Sequence, residues 1–395
     1  MIDFSVEWRN IMAHDLKYKR YDKALNVLYD NLNKIVEKSD LEHKKIYMFG
    51  TSKIATMIIS FLQKENVSLC GIIDNDKSRH GFIIENLEVY SPDILRNYDK
   101  DVIVLIASSY QNEMIKQLQD MGYKYNDNII KVIDLQDLME DYSFVDRNGY
   151  KEMSPEDIRT CQLNLMKYLK KVCDENGIDY YLTYGTLLGA VRHKGFIPWD
   201  DDVDVSVDGK EIDRLAELIN KSDRYQLITC KNCDGYFDQI SLLIDKTTVV
   251  DFNQFPLQTT TGISIDIFPI YGLPDSPEEF KDYIEKIKEL EKKKWNNLYN
   301  PVECKKYTLE MDDFISSYKF EDYQHTGFVL SPYFTKDYLK RSVYGEKKYL
   351  MFEDEEFCVP HDYKNVLETI YGDYMELPPV NKRGGHHYYK VYYEI

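Results

Sequence analysis

No stretch of this 395-residue chain approaches the ~20 consecutive apolar residues that a membrane span requires; the longest uninterrupted run is Val102 to Ala107. The first twelve residues carry Asp3, Glu7 and Arg9 and no apolar run, so no signal peptide is expected. An excess of basic charge is also missing. The formal net charge of −18 argues against a nucleic-acid backbone as partner, since proteins that bind one present a basic face. It leaves room for an anionic ligand, because a local basic patch or a metal reverses the field locally. Cysteine is sparse and odd in number: seven thiols between Cys70 and Cys358 fit a reducing cytoplasm better than a disulfide framework. Cys230 and Cys233 make one CxxC, but no second CxxC or HxxxH completes a zinc site, so free thiols are expected.

The composition is that of a folded protein, 43% hydrophobic and 30% charged, and the length implies two domains. Residues 1–43 read as a helical lead-in, with Ala24, Leu25, Leu28, Leu32 and Ile35 on one face. From 44 to 145 strands and helices alternate. Strand Ile46–Phe49 runs into a Gly50-Thr51-Ser52 turn and an apolar helix; strands follow at Leu69–Ile73, Val102–Ala107 and Ile129–Ile133, with a hairpin near Gly81–Tyr90. That order predicts a doubly wound, Rossmann-like α/β domain. Its dinucleotide fingerprint is incomplete, because GxGxxG requires glycines where Ser52 and Ala55 stand. Asp74 or Asp76 lies where a ribose-binding acid would be. The expectation is a retained fold that binds no dinucleotide; an NAD(P)-dependent redox enzyme is the reading it displaces.

Periodicity lapses at Asp141–Gly149, marking a boundary, and a helix then starts with Ser154 as N-cap, Pro155 at its first position and Asp157 completing a capping box. Ile158, Cys161, Leu165, Leu169 and Val172 mark its buried face, and Gly177 its end. The helix delivers the chain to YYLTYGTLLGAVRHKGFIPWDDDVDVSVD, residues 180–208. Here Gly185-Thr186 follows a strand and opens a short helix, whose first amides suit a phosphate; an ordinary turn with Thr186 as N-cap is the plainer reading. In the following strand Val203, Val205 and Val207 alternate with Asp202, Asp204 and Ser206, which places the two carboxylates on one face. Adjacent half-buried carboxylates resist joint ionisation unless a cation lies between them, and oxygen ligands beside phosphate suit Mg²⁺ or Mn²⁺. Asp200 and Asp201 read as a solvated turn. In SIDIF, residues 264–268, Asp266 interrupts an apolar strand. Alone it reads as structural; beside the Gly and Asp-x-Asp pieces it is the expected third ligand. The 34 tyrosines read chiefly as amphipathic packing, with sugar stacking as the alternative.

This ordered set resembles the nucleotidyltransferase fold, and YGTLLGAVRHKGFIPWDDDVDVSV more closely resembles the LicD-type phosphocholine transferase family, which includes the fukutin-like transferases. IDIFPIYGLP at 265–274 and YGDYMELPPVNKRGGHH at 371–387 are similar to two further blocks of that family in the same order, so the resemblance covers about 150–395. One departure is QISLLIDK at 239–246, where the family usually carries charge. The resemblance implies a C-terminal α+β nucleotidyltransferase-fold domain that moves a phospho-alcohol from a CDP-activated donor to a sugar hydroxyl of a glycan or lipid-linked precursor, releasing CMP. Asp202, Asp204 and Asp266 would hold the metal, with Asp266 taking the acceptor proton. Gly185, Thr186, Arg192 and Lys194 would contact the donor, with His193 a weaker candidate. Lys382, Arg383, His386 and His387 form a basic C-terminal cluster, within which Arg383 and His386 are the expected phosphate contacts. Such an enzyme is expected in the cytoplasm, and at the membrane face where its acceptor is lipid-linked. The rivals are a true nucleotidyltransferase, which leaves the nucleotide on its acceptor, and a non-catalytic glycan- or nucleotide-binding protein. The alcohol, the acceptor and the oligomeric state are not encoded legibly.

Overall fold

The computed structural model describes residues 28, 30–37, 41–51, 53–108, 110–132, 149–233, 235–251, 262–297, 301–330, 334–379, 383 and 390–395. Of the expected lead-in, residues 30–36 are helical and Leu28, Leu32 and Ile35 are buried; Ala24 and Leu25 lie outside the described residues. The chain divides into two compact units, residues 1–144 with 293–301, and residues 145–292 with 302–395.

The first unit is built on a mixed sheet with five parallel strands. In chain order it comprises β1 (Lys45–Phe49), α1 (Lys53–Lys64), β2 (Leu69–Ile73), β3 (Ile83–Ile84), β4 (Leu87–Tyr90), β5 (Val102–Ile106), α2 (Gln111–Asp120) and β6 (Ile129–Lys131). The strand order is β3-β4-β2-β1-β5-β6, with only the β3–β4 hairpin antiparallel. Glu85 and Asn86, both at positive φ (51° and 62°), make the two-residue turn of that hairpin, the backbone shape that matches strand twist. Every residue of β5 is buried, as expected for a parallel strand covered on both faces. Ala55, Ile58, Ile59 and Leu62 of α1 recur at helical spacing and are all within 1% of full burial. The strand order reverses at β1, between β2 and β5.

The second unit opens with β7 (Tyr150–Glu152) and α3 (Pro155–Asn176). The Ser154 hydroxyl accepts from Asp157 N–H while the Asp157 carboxylate accepts from Ser154 N–H, a complete capping box, and Gly177 ends the helix at φ 64°. Cys161, Leu165, Leu169 and Val172 bury the face that packs on the central sheet. That sheet takes β8 (Tyr180–Leu182), which leads into α4 (Tyr184–Arg192), then β9 (Asp204–Asp208), and after α5 (Ile212–Ile219) the strands β10 (Tyr225–Ile228) and β11 (Ser241–Asp245). β12 (Thr248–Asp251) precedes the long β13 (Ser264–Leu273), followed by α6 (Pro277–Asn296), α7 (Pro301–Ser316), β14 (His325–Gly327) and β15 (Leu339–Lys340). β13 is the spine: it pairs antiparallel with β11 and β14 and parallel with β9, which in turn pairs antiparallel with β8. A hairpin of β16 (Lys348–Phe352) and β17 (Glu355–Val359), then α8 (Tyr363–Tyr371), precede β18 (Lys390–Glu394), which joins β12 and β7 in a separate small sheet. Among the described residues no helix is long and apolar enough to cross a membrane. All seven cysteines are free.

Candidate functional site

The site is set by one register. β9 and β13 run parallel with Asp204 opposite Asp266, so the two carboxylates leave the same sheet face from strands ~4.8 Å apart. Val203, Val205 and Val207 fill the opposite face at 1% exposure or less. Strand pairing begins at Asp204, with Asp266 N–H donating to Val203 O at 2.8 Å, so Asp202 precedes the strand instead of extending its polar face. Ser206 is buried as well, which confines the open carboxylate face to the N-terminal end of β9.

The turn after β8 closes on that end. α4 begins at Tyr184 with Thr183 as N-cap, so Gly185 and Thr186 lie in its first turn and Thr186 is not the cap. Thr186 Oγ1 accepts from Asp204 N–H at 2.8 Å, and Thr183 N–H donates to Asp204 O at 3.2 Å. Gly185 lies against the Asp204 carboxylate, whose pKa its backbone amide lowers. A side chain at Gly185 has no room: its Cβ would lie 2.7 Å from Asp200 Oδ2 and 3.7 Å from Asp204 Oδ2. Tyr184 adopts φ 41°, a left-handed conformation that costs a bulky residue ~1–3 kcal/mol and persists only where surroundings enforce it.

Acid gathers here from two directions. The carboxylate oxygens of Asp200, Asp201 and Asp202 lie within 4.8 Å of one another, all three side chains being half-buried. Asp200 and Asp201 are thus half-buried rather than the solvated turn that their sequence suggests. Gln162 of α3 donates to Asp201 O at 3.0 Å, and Arg159 to Pro198 O at 2.8 Å, which ties the acidic loop down. Burial pushes the Asp204 carboxyl well above the usual carboxylate range, and the charges of Asp202, Asp266 and Asp200 push it further, against the opposing Gly185 N–H. The donor set is entirely hard oxygen, which fits Mg²⁺ or Mn²⁺ and would relieve this repulsion. Among the described residues the tight carboxylate group is Asp200, Asp201 and Asp202, so of the three expected ligands only Asp202 belongs to it, while Asp204 and Asp266 stand opposite each other on adjoining strands.

The basic residues stand at the end of α4. Arg192 donates to Tyr374 O at 2.8 Å; its guanidinium is held below its usual value by burial and by Arg383, and raised by Tyr371 and Asp200. Arg383 lies over the Trp199 ring at 5.0 Å and donates to Pro378 O at 2.8 Å, while His193 meets the same ring edge-on at 5.8 Å. Burial, and then Arg192, hold His193 below the usual imidazole value. Lys194 is exposed, at φ 63°, with its ammonium on Val191 O. Lys382, His386 and His387 lie outside the described residues. Within the CxxC, Cys230 is buried 3.6 Å from Asp312 Oδ1, its thiol pushed up to about 12, first by burial and then by Asp312.

Comparison with known proteins bears on this geometry. The family described as "LicD/FKTN/FKRP, nucleotidyltransferase domain" matches residues 177–297, which contain Gly185, the acidic loop and Asp266. Over 254 residues the chain is 28% identical to the lipopolysaccharide cholinephosphotransferase LicD of Haemophilus influenzae, covering 58% of this chain and 94% of that protein. The second unit is thus similar to the LicD/fukutin-like family over residues 177–297. The human ribitol 5-phosphate transferase FKRP is 26% identical over 105 residues, 27% of this chain and 19% of that one. In the first unit, the family "C2185-like, N-terminal" matches residues 42–130. A Rex-family repressor solved with β-NADH is 20% identical and covers 30% of this chain and 65% of its own, at a TM-score of 0.22 from which nothing follows.

The second unit brings to this region residues that the sequence does not single out. Asp200 and Asp201 join the acids because Gln162 and Gly185 hold their loop against the sheet, and the WDDD run is the one local signal of it. Trp199 is legible only as the residue before those acids. Glu353, at the tip of the β16–β17 hairpin, accepts from Phe196 N–H at 3.0 Å and donates its own N–H to Lys194 O at 2.8 Å, fixing the loop from α4 to the acids. Gly195 is required there, since its Cβ would fall 2.0 Å from the Glu353 carboxylate.

Proposed function

We propose that this chain is a metal-dependent phosphotransferase that moves phosphocholine or a related phospho-alcohol from a CDP-activated donor to a sugar hydroxyl of a glycan or its precursor, releasing CMP. The observation that carries it is the in-register pair Asp204–Asp266 with Asp200, Asp201 and Asp202 gathered at the same strand end. Mutually repelling, half-buried carboxylates are unfavourable unless they are used with a cation. Two relatives support the choice of chemistry, one named a cholinephosphotransferase of lipopolysaccharide and one a ribitol 5-phosphate transferase. On this reading the C-terminal unit has a nucleotidyltransferase fold and the N-terminal unit, whose strand order reverses at β1, is Rossmann-like.

Asp202, Asp204 and Asp266 would hold Mg²⁺ or Mn²⁺, with Asp200 and Asp201 adding charge. Such an ion would supply positive charge against the donor diphosphate. Asp266 is half-exposed beside Asp204 and takes the acceptor hydroxyl proton as that oxygen bonds to the alcohol-bearing phosphorus. The phosphoanhydride bond breaks, and its electron pair leaves with CMP. Arg192 and Arg383, the latter resting over the Trp199 ring, would supply positive charge for the donor phosphates. Gly185 permits close approach of the acidic loop, and Thr186 acts by holding Asp204 N–H. The test is product analysis with a CDP-alcohol, Mg²⁺ and a sugar acceptor. Free CMP with a phospho-alcohol-modified sugar is the expected outcome; a nucleotide-modified acceptor would favour a true nucleotidyltransferase and overturn the proposal.

A further inference from the structure

The strained Tyr184 has an anchor far away in sequence. Its phenol donates to Asp337 Oδ2, and the same oxygen accepts from Phe328 N–H at 3.0 Å. Both Tyr184 and Asp337 are buried, at 4% and 3% exposure. The Tyr184 ring meets Phe268 edge-on at 4.9 Å, and Phe268 meets Phe328 at 5.8 Å. Phe268 lies two residues beyond Asp266 on β13, so the same packing touches the strand that carries the second carboxylate. Gly327 at φ 158° lets the backbone of Asp337 approach, since its Cβ would sit 1.6 Å from Asp337 O. The next residue along the chain is Gly185, where a Cβ would lie 3.7 Å from Asp204 Oδ2 and 2.7 Å from Asp200 Oδ2.

From this chain of contacts we infer that Tyr184 and Asp337 are positioning residues for the carboxylate site: their buried hydrogen bond holds the left-handed turn that sets Gly185 against the Asp204 and Asp200 carboxylates. This rests on the proposal that Asp204 is a metal ligand. A buried phenol bonded to a carboxylate satisfies both groups, so the pair also explains why an aromatic residue tolerates a conformation that favours glycine. Neither residue touches the reacting atoms. Their effect passes through the geometry of one turn and the carboxylates it meets, as partners behind a metal ligand commonly act.

The experiment is Mn²⁺ titration of the full-length protein, followed by electron paramagnetic resonance and calorimetry, with thermal unfolding measured in chelator. The variants are Tyr184→Phe, Asp337→Ala, Asp337→Asn and, as a reference, Asp204→Ala. Tyr184→Phe keeps the ring packing and is expected to weaken Mn²⁺ binding by ~10-fold or more. Asp337→Ala should match it, and Asp337→Asn, which keeps an acceptor oxygen, should restore most of the affinity. Unchanged Mn²⁺ affinity in Tyr184→Phe, with only a lowered unfolding temperature, would overturn the inference and leave the pair a packing feature. Should Asp337→Ala not fold, Tyr184→Phe still decides. Absence of Mn²⁺ binding to the wild type, with Asp204→Ala indistinguishable from it, would sink the metal reading and this inference together.

Discussion

The two units contain the same local device, a strand that turns into a helix beside an acid from a neighbouring strand, and they use it oppositely. In the first, Gly50 takes the positive φ (105°) after β1, and Thr51 Oγ1 donates to Asp74 Oδ2 at 2.6 Å. Arg79 in turn donates to Thr51 and pairs with Asp76 at 3.4 Å, so a guanidinium stands among the acids of that turn. In the second, the positive φ falls on Tyr184, the turn offers a Gly185 N–H and a Thr186 hydroxyl, and the acid they receive faces further acids. The first turn is neutralised by its own residues; the second accumulates charge that requires a partner. A helix N-terminus alone therefore says little about function, and the charge around it says a good deal. Asp245 provides a control within the second unit. Burial, the largest influence on it, pushes its carboxyl up, but hydrogen bonds from Arg224 and Thr247 outweigh this and hold it below the usual range.

Asp204→Asn breaks the contrast most sharply. Activity should fall by on the order of 10³-fold, the several kcal/mol that a metal clamp supplies to a phosphoryl transition state. In chelator the same variant should be more stable than wild type by roughly 1–2 kcal/mol, because a repelled buried charge is removed. Denaturation with and without chelator measures both signs. A loss of stability would show that the cluster is not strained.

Arg224→Ala removes the partner of a neutralised acid and should have the opposite character. Arg224 lies 2.7 Å from Asp245 Oδ2, and Asp245 is 1% exposed. Stability should fall by about 2 kcal/mol at pH 7, with metal affinity unchanged. A carboxylate held low in the folded state stabilises above its unfolded pKa, ~4, and that contribution is lost as pH falls through the lower folded value. The gap between variant and wild type should therefore narrow below about pH 4, which urea titrations across pH would show.

Gly185→Ala sharpens the comparison from the backbone side. The new methyl would press on Asp200 Oδ2, the movable end of a side chain, so the fold should survive while activity drops by ~10-fold as the acidic loop shifts. The smallest effect belongs to the first unit: Asp74→Asn should cost ~1 kcal/mol or less and leave turnover unchanged. A matching loss of activity there would show that the first turn also serves catalysis.

What was legible in the sequence is what depends on neighbours along the chain. Ser154, Pro155, Asp157 and Gly177 act within a turn of one another, and their roles follow from local chemistry. The alternation of valines with Asp204, and of Ile265 and Ile267 with Asp266, marks two strands with a shared acidic face. Register between strands 62 positions apart is not local, and neither is burial of a polar run. Asp200 and Asp201 look solvated because three consecutive acids usually are; contacts from Gln162 and Gly185 reverse that. Asp337 is a lone acid far from the motif, and nothing short of the fold joins it to Tyr184. Of the basic C-terminal cluster only Arg383 falls within the described residues, resting on Trp199.

The most direct test of the central claim is calorimetric binding of CDP-choline, CDP-glycerol, CDP-ribitol and CMP, with and without Mg²⁺, to wild type and Asp204→Ala. The account predicts Mg²⁺-dependent binding of one CDP-alcohol that is lost in the variant. No binding to any CDP compound, with variant and wild type alike, would contradict it.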